Sequence, residues 1–246
     1  MTHWRPALVE VTRRGRVPLV RGPSMPIDIL RVEIDAQADE HSINHLTSGA
    51  TALALVVAAG DDAMHPLVHG VVRSLRARGA AVGLVVLETH VGSIDARLEL
   101  SRSIDGAVLS AQPDAPVAVA LLGGMVLPGL IGYSGRELRE LLAAPCAGVV
   151  HEIDHRSETV TGHVRESLRS ARLKAAHLAV ICSVDTGLDD IQRSFRACAN
   201  AMRPGRDLVG CAFSCASTTG TQAFVTAFMR REVFAQRLHQ AYPNDV

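Results

Sequence analysis

Aromatic residues and net charge are both scarce in this sequence. Only 3% of its 246 residues are Phe, Trp or Tyr, which is too few for the stacking surfaces that hold unpaired nucleic-acid bases. Lys and Arg together number 25, as do Asp and Glu, so the formal net charge is zero. A chain without a net positive field does not attract nucleic acid or an anionic membrane as a whole. We therefore expect neither as a partner.

The sequence also lacks long apolar runs and a dense set of cysteines. Its longest apolar stretches, such as residues 50–59, fall well short of the roughly 20 residues that span a bilayer. The first 25 residues carry several arginines and no continuous apolar segment, unlike a secretory signal. The five cysteines are an odd number spread over the chain, not the disulfide framework of a small secreted domain. These absences predict a cytoplasmic protein with reduced thiols.

Several motifs of known enzymes are missing as well. No serine lies in a G-x-S-x-G sequence, so a Ser-His-Asp hydrolase of that type is not indicated. The glycines after Leu122 do not follow the order G-x-G-x-x-G, and the hydroxyl-rich segment after Cys215 lacks the Gly-Lys-Ser/Thr ending of a Walker A loop. Whether the chain is an enzyme is therefore left open by its sequence.

Continuous apolar runs alternate with amphipathic segments along the chain. Residues 53–59 and 81–87 are apolar throughout, which is typical of strands covered on both faces. Between them, residues 65–78 have apolar side chains at helical spacing. A strand, helix and strand within about 35 residues match a parallel βαβ crossover. The pattern predicts an α/β fold with a doubly wound, mostly parallel sheet and helices on both faces, which is Rossmann-like.

The remaining segments complete this prediction. Residues 1–26 are expected to form an irregular N-terminal arm, and residues 27–246 a single α/β domain. Residues 117–122 fit either a strand or a buried turn, and Ser134 with Glu137 fits a capping box at the start of a helix. Further strands are predicted at 27–34, 147–151, 178–183 and 208–213, and further helices at 135–143, 163–176, 188–202 and 222–240.

Loop histidines are the first candidates for chemistry. His151, His155 and His163 accompany Glu152 and Asp154 after a predicted strand, where ligands of open α/β sheets bind. Together they offer the nitrogen and oxygen donors that suit zinc or another divalent metal. Ordinary loop histidines are the alternative interpretation.

Thiols near the last predicted strand are the second candidates. Cys211 and Cys215 lie close together in the sequence, with Cys198 upstream, and they could ligate an iron-sulfur cluster or include a reactive cysteine. Cys215 is the better candidate because it follows the strand end, and His151 is the other catalytic candidate. Buried cysteines that act as small apolar residues are the alternative.

Hydroxyl and glycine residues are the candidates for cofactor binding. The segment Ser217-Thr218-Thr219-Gly220-Thr221 leads from a strand into a predicted helix, whose free amides and dipole could receive a phosphate. Helix capping by the hydroxyls is the alternative. Gly123 and Gly124 are further candidates, since glycine allows close approach of the backbone.

Two blocks of the central chain resemble the methyl-coenzyme M reductase operon protein C family of methane-producing archaea. In the first block, His65-Pro66-Leu67-Val68 opens a helix that ends in Arg76-Ala77-Arg78-Gly79, before the strand at 82–87. The second block contains Gly132-Tyr133-Ser134, Glu137-Leu138, Val149-Val150-His151, His163 and Ala179-Val180-Ile181-Cys182. The glycine-rich N-terminal signature of the family has no counterpart here.

The resemblance implies an accessory factor in the reductive activation of a nickel-tetrapyrrole enzyme. Such a protein would act as a subunit of a multiprotein complex, with an iron-sulfur cluster shared with a partner. The resemblance adds His65 and Cys182 to the metal candidates and supports His151 and His163. The alternative is a Rossmann-like small-molecule enzyme, or a nucleotide- or phosphate-binding protein, with its site at the carboxyl edge of the sheet. A homo-oligomeric module is a third hypothesis.

Overall fold

The structure is a computed structural model that describes residues 6–12, 30–35, 38–46, 48, 53–59, 65–87, 106–111, 117–127, 129–132, 134–143, 146–214 and 220–230. Within these residues the strands are β1 (Ala7–Thr12), β2 (Leu30–Asp35), β3 (Leu53–Ala59), β4 (Ala81–Leu87), β5 (Ala107–Ala111), β6 (Gly129–Ile131), β7 (Cys146–Ile153), β8 (Leu173–Cys182), β9 (Asp207–Ser214) and β10 (Gln222–Arg230). The helices are α1 (Glu40–Leu46), α2 (His65–Ala77), α3 (Val117–Val126), α4 (Gly135–Ala143), α5 (Gly162–Arg169) and α6 (Leu188–Ala201).

All these strands belong to one sheet, in the order β2-β1-β3-β4-β5-β7-β10-β8-β9-β6. Every neighbouring pair from β2 to β7 is parallel. Strand β10 lies antiparallel between β7 and β8, β9 is parallel to β8, and β6 is antiparallel to β9. All strands except β10 and β6 therefore run in one direction, which confirms the predicted mostly parallel sheet.

Helices cover both faces of the sheet. On one face α3 and α4 bury Leu121, Leu138 and Leu142 against the strands. On the other face α1 and α2 pack over the β1 to β5 half, and α5 and α6 pack over the β7 to β10 half. Each fully buried aliphatic side chain stabilises the fold by roughly 1.5–3 kcal/mol, so the two-sided burial accounts for the continuous apolar strands. Among the helices the structure describes, none combines the length and apolarity needed to cross a bilayer.

Strand β10 corrects the predicted helix at 222–240. Gln222–Arg230 is an interior strand, and every residue from Ala223 to Met229 is buried. A strand covered on both faces has no alternation of apolar and polar residues, so its sequence resembles that of a buried helix. Residues 231–240 lie outside the described part of the chain.

Several further elements differ from the sequence-based expectation. Residues 117–126 form helix α3, neither a strand nor a turn, because a helix that is apolar all round has no amphipathic signature. The predicted helix at 163–176 ends at Arg169, and β8 begins at Leu173. The predicted irregular arm contains the interior strand β1, and strands β5 and β6 were not predicted.

The capping box of α4 is confirmed by its hydrogen bonds. The backbone N–H and the hydroxyl of Ser134 each donate to Glu137 Oε2 at 2.8 Å, and the Glu137 N–H approaches the Ser134 hydroxyl oxygen at 3.3 Å. The hydrogen bonds from the backbone and side chain of Ser134 lower the pKa of the Glu137 carboxyl group. Since both partners satisfy N-terminal groups, the start of α4 could be read from sequence alone.

Candidate functional site

The carboxyl ends of the parallel strands share one edge of the sheet, called the carboxyl edge below. The direction in which the chain adds strands to the sheet reverses at β1. From β1 the chain passes to β2 on one side and then returns to β3 on the other side of β1. In open α/β sheets ligands bind in the crevice that opens at such a reversal, outside the carboxyl ends of the two strands. The gap between β1 and β3, called the switch point below, is therefore the first place to seek a ligand.

One buried polar side chain accompanies the switch point. Glu10 is fully buried in β1, beside Val57 of β3 and two residues before the end of its strand. A buried carboxylate is costly unless it is paired, so an interior glutamate at this edge is a departure from ordinary core composition. Glu10 was not a sequence-based candidate, because residues 7–12 were expected in an irregular arm.

Three hydroxyl groups meet farther along the same edge, where β8 ends and β10 begins. The Oγ1 atoms of Thr186 and Thr221 lie 2.5 Å apart, and Ser183 Oγ lies 3.3 Å and 3.4 Å from them. The Ser183 N–H also donates to Thr186 Oγ1 at 2.7 Å. The predicted cofactor residue Thr221 thus lies at the carboxyl edge, within a hydroxyl cluster of Ser183, Thr186 and Thr221. The sequence could not reveal its partners, because they meet only through the placement of β10.

The predicted phosphate site at 217–221 stays a prediction, but the helix expected to follow it is wrong. That prediction placed a helix after Thr221, whereas Gln222 begins strand β10. Gly220 is exposed, and Ser217, Thr218 and Thr219 lie outside the described residues. Thr221 is therefore not followed by a helix N-terminus whose amides could receive a phosphate.

The nearest helix N-terminus is satisfied by its own carboxylates. In α6, Asp190 Oδ2 accepts a hydrogen bond from the Gly187 N–H at 3.2 Å, and Asp190 Oδ1 forms an ion pair with Arg193 at 3.1 Å. Asp189 adds a second acid in the first turn. Since negative side chains already complement the positive end of the helix dipole, this end does not favour another anion.

The hydroxyl cluster and the switch point are too far apart to share one small ligand. Five strands separate β1 from β8 in the sheet. With neighbouring strands about 4.8 Å apart, the two places are roughly 30 Å from each other. They must be judged as separate candidates.

Gly123 and Gly124, predicted to contact a cofactor, lie within helix α3. A Cβ atom added to Gly123 would come 2.4 Å from Cζ of Phe213, whose ring is buried. Gly123 therefore lets α3 lie directly on β9. Gly123 thus serves helix packing, while the predicted contact of Gly123 and Gly124 with a cofactor stays a prediction.

Two of the predicted metal ligands do come together. The rings of His151 on β7 and His163 on α5 have centroids 5.4 Å apart, and His151 Nε2 lies 3.2 Å from the Ser167 hydroxyl. His155 is half-buried just beyond β7. Within the described ranges, no three His, Cys, Asp or Glu side chains form a group that could hold a metal ion. The side chain of His65 lies outside the described part, so a histidine metal site stays a prediction.

The described thiols are buried and strongly protonated. Cys146, Cys182, Cys198 and Cys211 are buried and free of disulfides. Burial raises the pKa of both Cys198 and Cys211 to about 12, with a smaller contribution from Cys182 at Cys211, and burial also raises the pKa of Cys182. Because the thiolate is the nucleophile and the metal ligand, such thiols are unreactive in this state. Cys215 lies outside the described residues.

His177 is a buried polar residue that the sequence analysis missed. It lies in β8 with 1% of its surface exposed, beside Thr226 of β10, and burial lowers its pKa to about 4. The sequence-based boundary between a helix ending at 176 and a strand starting at 178 left this histidine unassigned. Its neutral ring belongs to the core, far from solvent.

Comparison with known proteins identifies the fold class. No model of a protein family and no curated protein matches the sequence. Solved structures of FtsZ from M. jannaschii do resemble it. A mutant FtsZ matches with a TM-score of 0.67 at 11% identity, over 92% of this chain and 91% of that chain. An FtsZ dimer described as empty matches with a TM-score of 0.68 at 9% identity, over 93% and 88% of the two chains.

At these identities the likeness establishes the fold alone. The protein has a Rossmann-like α/β fold with the architecture of FtsZ. The comparisons neither support nor contradict the resemblance to the operon protein C family, which stays a prediction. They give no support to a role in activating a nickel-tetrapyrrole enzyme.

Proposed function

We propose that this protein binds a nucleotide or another phosphorylated small molecule at the switch point of the carboxyl edge. One observation carries the proposal: β1 and β3 are parallel neighbours, and the chain continues from them in opposite directions along the sheet, from β1 to β2 and from β3 to β4. This arrangement opens a crevice at the strand ends without any special side chains. The hydroxyl cluster, whose members bind one another, is not part of the proposed site.

The residues that follow these two strands in the sequence have suitable chemistry. Arg13, Arg14 and Arg16 come directly after β1, and Asp61 and Asp62 come directly after β3. Guanidinium groups bind phosphate through paired hydrogen bonds. Aspartates bind the Mg²⁺ that accompanies nucleotide phosphates. The two segments thus supply complementary partners for a magnesium-phosphate group.

The amino end of α2 adds to this chemistry. Helix α2 is the first helix after β3 and begins at His65, with no acidic residue in its first turn. It therefore differs from α6, whose first turn carries Asp189 and Asp190. A helix N-terminus free of acidic side chains favours a nearby anion.

The proposal is tested by thermal unfolding with nucleotides and phosphorylated metabolites in the presence of Mg²⁺. A ligand present at 100 times its Kd stabilises the native state by about 2.7 kcal/mol. For a chain of this size that corresponds to a rise in Tm of roughly 5–10 °C. We expect such a rise for at least one nucleotide. The absence of any rise across the panel contradicts the proposal.

Paired arginine variants locate the site. We expect Arg13→Gln with Arg14→Gln to weaken nucleotide binding at least tenfold, because two phosphate-binding groups are lost. The matched control is Arg136→Gln with Arg139→Gln, which removes two exposed arginines from α4. The control should bind as the wild type does. Equal losses in both variants would show a general charge effect and not a site at the switch point.

We further propose that the protein forms homo-oligomers through β6. This strand lies at the outer edge of the sheet, with Leu130 70% and Ile131 40% exposed. Exposed apolar edge strands are templates for pairing with another strand. One of the FtsZ structures that share the fold is described as a dimer, which supports a second copy of this chain as the occupant. Additional protein-complex subunits, expected from the sequence, stay a prediction.

A further inference from the structure

A depression of about 460 Å³ lies at the opposite, amino edge of the sheet, where α5 ends and the turn before β9 begins. Three arginines from these two segments line it: Arg165, Arg169 and Arg203. Glu166 is the one carboxylate among the described residues that line it. The depression therefore carries an excess of positive charge in a protein with no net charge.

Hydrogen bonds hold the two segments together. Arg203 Nε donates to the Arg169 carbonyl oxygen at 2.6 Å, and Arg206 Nη2 donates to the Ala171 carbonyl oxygen at 3.0 Å. Arginines commonly satisfy the last carbonyl groups of a helix in this way. The bond from Arg203 uses only Nε, however, so its two terminal nitrogens remain as donors for a ligand.

The guanidinium groups of the other two arginines have no partner in the described part of the chain. The side chains of Arg165 and Arg169 are exposed, and neither guanidinium group forms an ion pair or hydrogen bond with another described residue. Helix α4 shows the contrasting arrangement, in which Arg136 Nε pairs with Glu140 Oε1 at 2.8 Å one turn away. Helix C-terminal stabilisation explains Arg203, but it does not explain why three arginines line one depression.

From this convergence we propose a second anion site, formed by Arg165, Arg169 and Arg203, for a small ligand with several phosphate groups. The planar guanidinium fork matches the spacing of phosphate oxygens. The volume falls within the range of small-molecule pockets. The described residues of the lining include no aromatic side chain, so the proposed ligand is recognised by its phosphates and not by stacking of a nucleobase on these residues.

This site is distinct from the nucleotide site at the switch point. Strand β8 is 10 residues long, so the amino and carboxyl edges of the sheet are separated by roughly 30 Å along it. One small ligand cannot reach both edges. The arginine site would accept a second anion while a nucleotide is bound, which suits an effector.

Calorimetric titration of the full chain with inorganic tripolyphosphate tests the site. We expect saturable binding by the wild type and at least a tenfold rise in Kd for Arg165→Gln with Arg169→Gln. The control, Arg136→Gln with Arg139→Gln, removes the same charge and should stay within twofold of the wild type. Arg165→Lys with Arg169→Lys keeps the positive charge but lacks the planar, forked donors of the guanidinium group, and it should give an intermediate Kd. Circular dichroism checks that each variant is folded.

Four outcomes overturn the proposal, the last of them with a tricarboxylate as the probe. The first is the absence of saturable tripolyphosphate binding by the wild type. The second is an equal loss of affinity in the α5 and α4 variants. The third is a loss confined to Arg13→Gln with Arg14→Gln, which would assign the anion to the carboxyl edge. Tricarballylate, a tricarboxylate, should bind at least tenfold more weakly than tripolyphosphate, and equal affinity would contradict a phosphate ligand.

Discussion

The Nε2 atom of His177 lies 4.0 Å from the Sγ atom of Cys211, on neighbouring parallel strands of the sheet interior. Both groups are neutral near pH 7, because burial lowers the pKa of His177 to about 4 and raises that of Cys211 to about 12. The pair therefore contributes no charge to the core. Protonation of the imidazole would place an ion there at a high free-energy cost.

We predict that acid destabilises the protein through His177. Its folded pKa of about 4 lies below its ordinary value of 6.5, so the unfolded chain binds more protons between these pH values. The stability that the neutral His177 ring contributes is fully present above pH 6.5, and it is lost as the pH falls through 4. The shift corresponds to a loss on the order of 3 kcal/mol. Urea unfolding measured from pH 7 to pH 4 gives the slope of the unfolding free energy against pH.

The variant His177→Gln should flatten this pH dependence, whatever its effect on stability at pH 7. His163→Gln, at an exposed position on α5, should leave the slope unchanged and serves as the control. An identical slope in wild type and His177→Gln would show that other groups cause the acid sensitivity.

Gly123 should tolerate no side chain. We predict that Gly123→Ala destabilises the protein by about 1–3 kcal/mol, because the added methyl group overlaps the buried ring of Phe213. Gly70→Ala is the matched control within α2, where the new Cβ would meet only Ile43 Cδ1 at 3.5 Å. Because alanine has a higher helix propensity than glycine, Gly70→Ala should raise the free energy of unfolding by about 0.5–1 kcal/mol. The midpoints of urea unfolding distinguish the two. A neutral Gly123→Ala variant would contradict the close packing of α3 on β9.

The hydroxyl cluster should stabilise the protein without contacting the nucleotide. In a double-mutant cycle, Thr186→Val and Thr221→Val are predicted to show a coupling of about 0.5–1.5 kcal/mol, since they share a hydrogen bond. Nucleotide-induced shifts in Tm should be the same in both variants and the wild type. Strictly additive losses of stability, or a reduced nucleotide shift, would contradict this assignment.

A charge placed on β6 should prevent self-association. We predict that the wild type elutes as an oligomer in size-exclusion chromatography with light scattering, and that Leu130→Lys elutes as a monomer. Val184→Lys, at a fully exposed apolar position remote in sequence from β6, is the control and should not change the mass. A monomeric wild type, or equal effects of both substitutions, would contradict an interface at β6.

The sequence predicted the elements whose pattern is local. Helix α4 could be bounded because Ser134 and Glu137 satisfy each other, and α2 because its apolar residues occupy one face. Strand β10 and helix α3 could not be assigned, since both are surrounded by other elements and apolar on all sides. Their true conformations depend on tertiary packing, which periodicity does not report.

The candidate site, too, could be predicted from the sequence only in part. The carboxyl edge followed from the alternation of strands and helices, and Thr221 does lie on it. The position of the switch point did not follow, because it depends on β1, which was hidden in an arginine-rich segment. The arginine site on α5 was equally hidden, since Arg203 joins Arg165 and Arg169 only through the folded turn before β9.

Photolabelling with an azido nucleotide, followed by peptide mapping, tests the proposed nucleotide site most directly. The proposal predicts labelled peptides that contain residues 13–29 or 60–64, the segments that follow β1 and β3 in the chain. An excess of unlabelled nucleotide should abolish this labelling. Labelling confined to peptides around Thr186 and Thr221, or to α5, would contradict a site at the switch point.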